Sequence, residues 1–336
     1  MEAERTKSKQ VPTDTVSLDR YRECRLCPRR CGVDRVAGER GVCGESAACR
    51  VASYGPHFGE EPSFSGTRGS GTIFFSGCSS RCFFCQNYQI SIEHNGVEMA
   101  PHELRAAALS MTGPGRVHNL NFVTPDHFWP HIEWLCHRVR EAGVDIPFLF
   151  NSSGYQEPGL VGEYAGVMDM FMPDFKFAEP ELARQCMGDP GYPRIALEAL
   201  RRMVEAKGFL SPWDPTGAEP ARQGVLVRHL VLPGHVENSL AVLDFLHAEF
   251  GAHLPISVMS QFRPVPACFE RGELAQGLTP DEHRRVVDRV EELGFRYAYV
   301  QHLRDTTDFM PDFRAREVFR GNRSPAPEPR KTPDHT

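Results

Sequence analysis

The sequence predicts an α/β chain folded as a partial (β/α)6 TIM-like barrel, preceded by a small N-terminal cysteine-rich metal-binding segment. Three observations predict it. From Gly71 onward, short apolar runs alternate with helical patterns. Those runs are near-continuously apolar, which suits parallel strands covered by helices on the outside. Ahead of them, a stretch rich in Cys, Gly and Arg shows little periodicity, as expected where metal rather than an apolar core organises the chain.

In chain order, residues 1–20 read as a polar, flexible leader without the apolar stretch of a secretory signal. Residues 21–66 form the cysteine-rich segment and residues 67–305 the barrel. Residues 306–336 form an extension, disordered at its Pro- and Arg-rich end. Expected strands are Thr72–Phe75, Asn119–Val123, Pro147–Phe150, Met168–Met172, Val225–Leu232 and Leu254–Met259, with a seventh at Arg296–Val300. Expected helices are Glu103–Met111, Pro130–Ala142, Ile195–Ala206, Ser239–Phe250 and Asp281–Leu293. Repeated strand–helix units of this kind place a site at the C-terminal ends of the strands. A doubly wound open sheet is the structural alternative.

Composition narrows the function. A chain of 336 residues with 40% hydrophobic and 24% charged residues is ordinary for a globular protein. Its net charge of −6 gives no broad basic face for nucleic acid. No apolar run reaches the roughly 20 residues of a membrane span. The chain therefore reads as cytoplasmic, and its 11 cysteines read as metal ligands or reactive groups rather than disulfides. Cys136, Cys186 and Cys268 stand alone and read as buried thiols. His127 and His131 are four apart, but Pro130 marks a helix start between them, so they read as surface or core histidines.

The chemistry centres on Cys78, Cys82 and Cys85, which follow the first barrel strand in the pattern Cys-x3-Cys-x2-Cys. Three thiolates hold three corners of a four-iron cluster and leave the fourth iron open; a structural zinc with a remote fourth ligand is the alternative. Upstream, Cys24-x2-Cys27-x3-Cys31 and Cys43 supply four thiols, enough for either a structural zinc or a second iron–sulfur cluster, with Cys49 able to replace Cys43. Six arginines, Arg22, Arg25, Arg29, Arg30, Arg35 and Arg40, surround them.

The three-cysteine spacing after a first barrel strand resembles the radical S-adenosylmethionine (SAM) superfamily. Cys24-Arg-Leu-Cys-Pro-Arg-Arg-Cys-Gly, Cys85-Gln-Asn-Tyr-Gln-Ile-Ser, Asn151-Ser-Ser-Gly-Tyr, Met172-Pro-Asp-Phe-Lys and Arg228-His-Leu-Val-Leu-Pro-Gly bring it nearer to homologues of pyruvate formate-lyase activating enzyme that carry an N-terminal cysteine-rich segment. The resemblance implies a radical SAM oxidoreductase with a [4Fe–4S] cluster on Cys78, Cys82 and Cys85. It implies reductive cleavage of SAM, hydrogen abstraction from a substrate, and an electron donor of the flavodoxin or ferredoxin type. Activation of a glycyl radical enzyme is its closest form. The alternatives are a small molecule or another peptide as substrate and, from another class, a non-catalytic electron-transfer scaffold.

By the same resemblance Phe84 packs on the adenine and Lys176 faces the SAM carboxylate. Asn151, Ser152, Met172 and Asp174 gather near a monovalent cation, with Ser153 beside them. Arg228 suits a carboxylate through bidentate pairing, and Gln261 adds a hydrogen bond. The family's Gly-Gly-Glu stretch is missing after the second strand, so Thr124, Asp126 or backbone carbonyls take over the SAM amino group. The loop Ser211-Pro-Trp-Asp-Pro-Thr-Gly is expected to line an open barrel side, with Trp213 as an exposed anchor for a polypeptide substrate.

Overall fold

The computed structural model describes residues 15–303, 310–315 and 317–319. The first fourteen residues of the expected leader and the end of the expected C-terminal extension lie outside the described residues.

Strands run β1 Arg50–His57, β2 Ser70–Phe75, β3 Val97–Glu98, β4 Leu120–Val123, β5 Phe148–Ser152, β6 Met170–Pro173, β7 Gly224–Val225, β8 Val227–Leu230, β9 Ile256–Met259 and β10 Ala298–Val300. Helices are α1 Asp19–Arg22, α2 Pro62–Ser65, α3 Tyr88–Ser91, α4 Pro101–Met111, α5 Trp129–Glu141, α6 Val161–Val167, α7 Pro180–Met187, α8 Tyr192–Lys207, α9 Val236–Phe250, α10 Pro266–Arg271 and α11 Pro280–Glu292. Proline in the first turn opens several of them, including α4, α5, α8 and α11, where its missing N–H costs nothing.

The parallel pairings β2–β4–β5–β6–β7 and β8–β9–β10 form two sheets. They are one curved wall. The expected strand Val225–Leu232 is interrupted at Leu226, whose N–H still bonds Phe171 O (3.1 Å), and beyond the break Asp174 pairs in parallel with Arg228. The wall is thus a partial barrel of parallel strands, and among the described residues β10 has no strand partner on its outer side.

Strand β1 was not legible from periodicity. It pairs antiparallel with β2, from Val51↔Phe75 to His57↔Ser70, and widens the wall on its open side. Pro56 is tolerated because β3 covers only Arg50 and Val51, leaving the outer edge at Pro56 without ladder partners. Residues 50–57, within the cysteine-rich segment by sequence, therefore enter the main sheet.

Inside the wall, alternation along each strand sorts the side chains into layers. At the N-terminal ends, Phe64 of α2 joins Leu149, Met170, Met172, Leu226 and Tyr299 in an apolar plug. Trp213 packs on that plug, 4.9 Å from the Tyr299 ring and 5.4 Å from Tyr297. It is half-buried at the end of the barrel opposite the strand C-termini, so it does not line the mouth. The reason is topological: a loop that precedes a parallel strand belongs to that strand's N-terminal end, and sites form at the other.

Candidate functional site

Strand β2 is buried along its whole length and delivers the chain into Ser76, Gly77 and Cys78 at its C-terminal end. Gly77 sits at φ +78°, and a Cβ there would lie 2.8 Å from the Cys43 carbonyl, so the turn requires glycine. The loop beyond is tied from several sides. Cys85 N–H bonds Cys82 O (3.2 Å), and Phe83 N–H bonds Cys186 O (3.1 Å) at α7. Ser80 Oγ donates to Ser153 Oγ (2.7 Å). Arg29, reaching in from the cysteine-rich segment, donates to Ser79 O (3.0 Å) and Met187 O (2.6 Å), with its guanidinium over the Tyr155 ring.

The thiols of Cys78, Cys82 and Cys85 face one cavity of about 270 Å³ at the strand C-termini. Burial pushes Cys78 up to about 11 and also raises Cys82 and Cys85. Thiols held this way are protonated at neutral pH, and metal binding must displace their protons. Among the described residues no three His, Cys, Asp or Glu side chains converge as the ligands of a single ion do. Thiolates of a four-iron cluster bind separate irons at its corners and need no such convergence.

Of the residues singled out by sequence, Phe84, Thr124, Asn151, Ser152, Ser153, Asp174, Lys176, Arg228 and Gln261 line the same cavity. Phe84 is buried between Phe177 and Phe262. Thr124 adopts φ +56°, a left-handed conformation costly for a β-branched residue, by roughly 1–3 kcal/mol. Its N–H bonds Asn151 O at 2.8 Å, which fixes the end of β4 against β5. Lys176 and Asp174 form a half-buried ion pair. Burial opposes the charge of Lys176, but the Asp174 carboxylate outweighs it and holds the ammonium above its ordinary value. Tyr192 braces the pair, accepting from Lys176 N–H (2.9 Å) and donating toward Ser153 O (3.0 Å).

Three expectations change. Asp126 does not line the cavity: it is fully buried behind the loop, where its Oδ2 accepts from Ser79 Oγ (2.9 Å). Burial pushes its carboxyl up to about 6. Arg228 is turned to protein carboxylates, with Nε bonded to Glu61 (2.8 Å) and Nη2 paired with both Glu60 and Glu61, so the bidentate face expected to grip a SAM carboxylate is taken up by the protein itself. The expected cation group sits together at the ends of β5 and β6, but its side chains turn to protein partners: Asn151 donates to Glu60 (3.3 Å), Ser152 donates to Gln156 (2.9 Å), Met172 lies in the apolar plug and Asp174 pairs with Lys176.

The sequence also passed over residues that matter. Glu60 and Glu61, just before α2, line the cavity and hold Arg228, and Glu60 accepts a further bond from Asn121 Nδ2 (2.8 Å). The signal was available: an arginine inside a barrel strand requires carboxylates somewhere, and Glu60-Glu61-Pro62 is an adjacent acidic pair at a helix start. Gln86, Gln261 and Gln301 form a second polar set at the mouth, with Gln86 Nε2 on Gln261 O (2.8 Å) and Gln301 Nε2 on Gln261 Oε1 (3.1 Å). Pro311 and Phe319 reach the cavity from the C-terminal extension.

Cys24, Cys27 and Cys43 are buried behind the loop, and Cys31 is partly exposed. Cys49 is fully buried beside Arg35 and Glu45. His127 and His131 are core histidines, bonded to Ser76 O (2.7 Å) and Tyr21 Oη (2.8 Å) respectively. Among the described residues no helix is long and apolar enough to cross a membrane.

No family model matches the chain. The uncharacterized protein MJ0674 of Methanocaldococcus jannaschii is 26% identical over 287 residues, spanning 83% of this chain and 77% of its own. MJ0808 of the same organism is 23% identical over 307 residues, spanning 83% and 81%. Among solved structures, methylornithine synthase (PylB) is 16% identical at a TM-score of 0.47, with 69% of this chain covered and 64% of the synthase. Streptococcus suis SuiB bound to S-adenosylmethionine is 11% identical at 0.45, covering 67% of this chain and 48% of SuiB. HydG, a maturase of the [FeFe]-hydrogenase, is 16% identical at 0.48, covering 75% and 55%. The chain thus spans about half to two thirds of each structure, and likenesses at these scores say nothing by themselves about its chemistry.

Proposed function

We propose that this chain is a radical SAM enzyme whose cluster is held by Cys78, Cys82 and Cys85. One observation carries the reading: three thiols on a single braced loop open onto one cavity at the C-terminal ends of parallel strands. The donor set fits the group, since three soft thiolates bind a four-iron cluster and leave one iron for a ligand. When bound, such a cluster supplies the electron that cleaves SAM to methionine and a 5′-deoxyadenosyl radical, which takes hydrogen from the substrate.

The chain's own residues position and enclose. Arg29, Ser80 and Phe83 fix the loop so that the thiols keep their places without metal. Lys176, kept charged by Asp174, offers an ammonium beside Cys82 for the SAM carboxylate. Phe84 presents an aromatic face for the adenine, and the glutamine set at the mouth offers amides for ribose or substrate. Glu60 and Glu61 outnumber Arg228, so the inner cavity favours a cationic group, such as the SAM sulfonium or ammonium.

Activation of a glycyl radical polypeptide remains the finer form of this reading and rests on the sequence resemblance. A small-molecule substrate is favoured by a separate observation, the reach of Pro311 and Phe319 into the cavity. The test is anaerobic reconstitution with SAM and dithionite. Wild-type protein should release 5′-deoxyadenosine, and Cys78→Ala, Cys82→Ala or Cys85→Ala should abolish it. Equal yield from the triple variant refutes the assignment, and deuterium transfer from a labelled peptide or metabolite to 5′-deoxyadenosine separates the substrates.

A further inference from the structure

Arg35 poses a charge problem. It is 1% exposed, and its guanidinium stays ionised in any protein environment. Among the described residues it meets no carboxylate: its bonds go to Ser46 O (3.2 and 2.7 Å), to His127 O and to Cys24 Sγ (3.7 Å). The rings of Tyr21 and Phe128 flank it at 4.5 and 5.3 Å. Carbonyl dipoles and ring faces offset only part of the several kcal/mol that burying an ion costs. The Asp126 carboxylate feels its charge without bonding it, and the anion-forming group that Arg35 touches is the Cys24 sulfur.

We propose that Cys24, Cys27, Cys31 and Cys43 hold a second iron–sulfur cluster whose negative charge is balanced by the buried guanidinium of Arg35. Four thiolates around a metal core carry net negative charge, which is what Arg35 lacks and what a protonated thiol cannot supply. A zinc ion would draw its ligands to about 2.3 Å, and no three such side chains among the described residues converge in that way. Cys31 is tied to the Cys43 turn, its sulfur accepting from Val42 N–H at 3.3 Å, a bond of the kind that stabilises a cluster thiolate.

The place of this centre gives it a role. The Cys43 carbonyl packs against Gly77, the residue before Cys78, where a Cβ would lie 2.8 Å away. Arg29, two residues beyond Cys27, bonds the carbonyls of Ser79 (3.0 Å) and Ser80 (3.4 Å). The two cysteine groups are therefore in backbone contact. When bound, the second cluster would take one electron from a low-potential donor protein and pass one to the first, returning to its oxidised state with no bond formed or broken. That role rests on the function proposed above; the existence of the cluster does not.

The test uses the full chain carrying Cys78→Ala, Cys82→Ala and Cys85→Ala together, reconstituted without oxygen. It should retain about four irons and about four sulfides per chain and give a paramagnetic signal on reduction with dithionite, both lost on adding Cys27→Ser. Less than about one iron per chain, or one zinc in its place, overturns the proposal. In the same background Arg35→Gln should shift the cluster to a more negative reduction potential, and Arg35→Lys should restore it. An unchanged potential overturns the counter-charge. Where Arg35→Gln does not fold, the unfolding midpoint with and without the cluster decides instead. Loss of the cluster should lower it, because Arg35 then lies buried without an anion, and an unchanged midpoint overturns the proposal. If wild-type protein fails to cleave SAM while the triple variant keeps its iron, the function falls and this inference stands.

Discussion

Replacing Arg228 with Met tests the interior of the barrel. The substitution conserves most of the volume and removes the cation paired with Glu60 and Glu61, whose side chains are 6% and 5% exposed. Breaking a buried pair by removing one partner costs about 3–5 kcal/mol, because the remaining charge is left uncompensated. The pH dependence should reverse as well. In wild-type protein burial works against the Glu60 charge, but Arg228, His57 and Asn121 more than reverse it, so its carboxyl lies below its ordinary value. That contribution is present above the ordinary carboxylate pKa and is lost as pH falls through the lowered one. Without Arg228 the largest influence opposing burial is gone and the Glu60 carboxyl rises instead, the folded state binds more protons than the unfolded, and the variant's deficit should shrink from about pH 7.5 to about pH 5.5. Urea unfolding followed by circular dichroism reads both effects. Adding Glu60→Gln and Glu61→Gln should recover most of the lost stability. A cost under about 1 kcal/mol with SAM affinity abolished would refute this reasoning and return Arg228 to the role of a ligand for the SAM carboxylate.

Other expectations follow from the same interior. Trp213→Ala should lose about 2 kcal/mol of stability, less than for a fully buried Trp, since the ring is half-buried on the plug. It should leave substrate affinity of the folded protein unchanged, and a change in affinity at equal stability would put the ring back at the mouth. His229 is buried between Phe175 O (2.7 Å) and Ser239 Oγ (2.9 Å), and burial lowers its pKa to about 4. Its neutral form is favoured in the fold, so its contribution is complete above the unfolded value and falls away below it, by about 2 kcal/mol at about pH 5. His229→Gln should remove that part of the slope, and an unchanged slope would show that other groups carry it.

The barrel was legible because its strands announce themselves twice, by apolar continuity and by the helices between them. Phe148–Ser152 and Ile256–Met259 fall within three residues of where the apolar runs place them. Strand β1 lacked both signals. Arg50-Val-Ala-Ser-Tyr-Gly-Pro-His is an edge strand, half exposed, and its Gly and Pro read as a turn. The break at Leu226 was equally hidden, since an apolar residue between two strands looks like one in the middle of a strand. Trp213 is hidden for another reason: its loop is rich in Pro, Gly and Asp like one at a mouth, yet it precedes a strand and so belongs to the N-terminal end.

The site divides along the same line. Residues immediately after a strand, such as Asn151, Ser153, Asp174 and Lys176, could be placed at the mouth by position alone. What position could not give is the identity of their partners, and two arginines show why. Arg228 lies within a barrel strand and Arg35 in a loop without periodicity, yet both are buried and both require an anion. For Arg228 the fold answers with Glu60 and Glu61, drawn from more than a hundred residues upstream. For Arg35 it offers carbonyls, rings and a cysteine sulfur, and no hydrogen-bonded carboxylate among the described residues. A buried charge the polypeptide does not neutralise with its own acids points to an anion that arrives with a bound group. The cysteines beside Arg35 are the residues able to hold it.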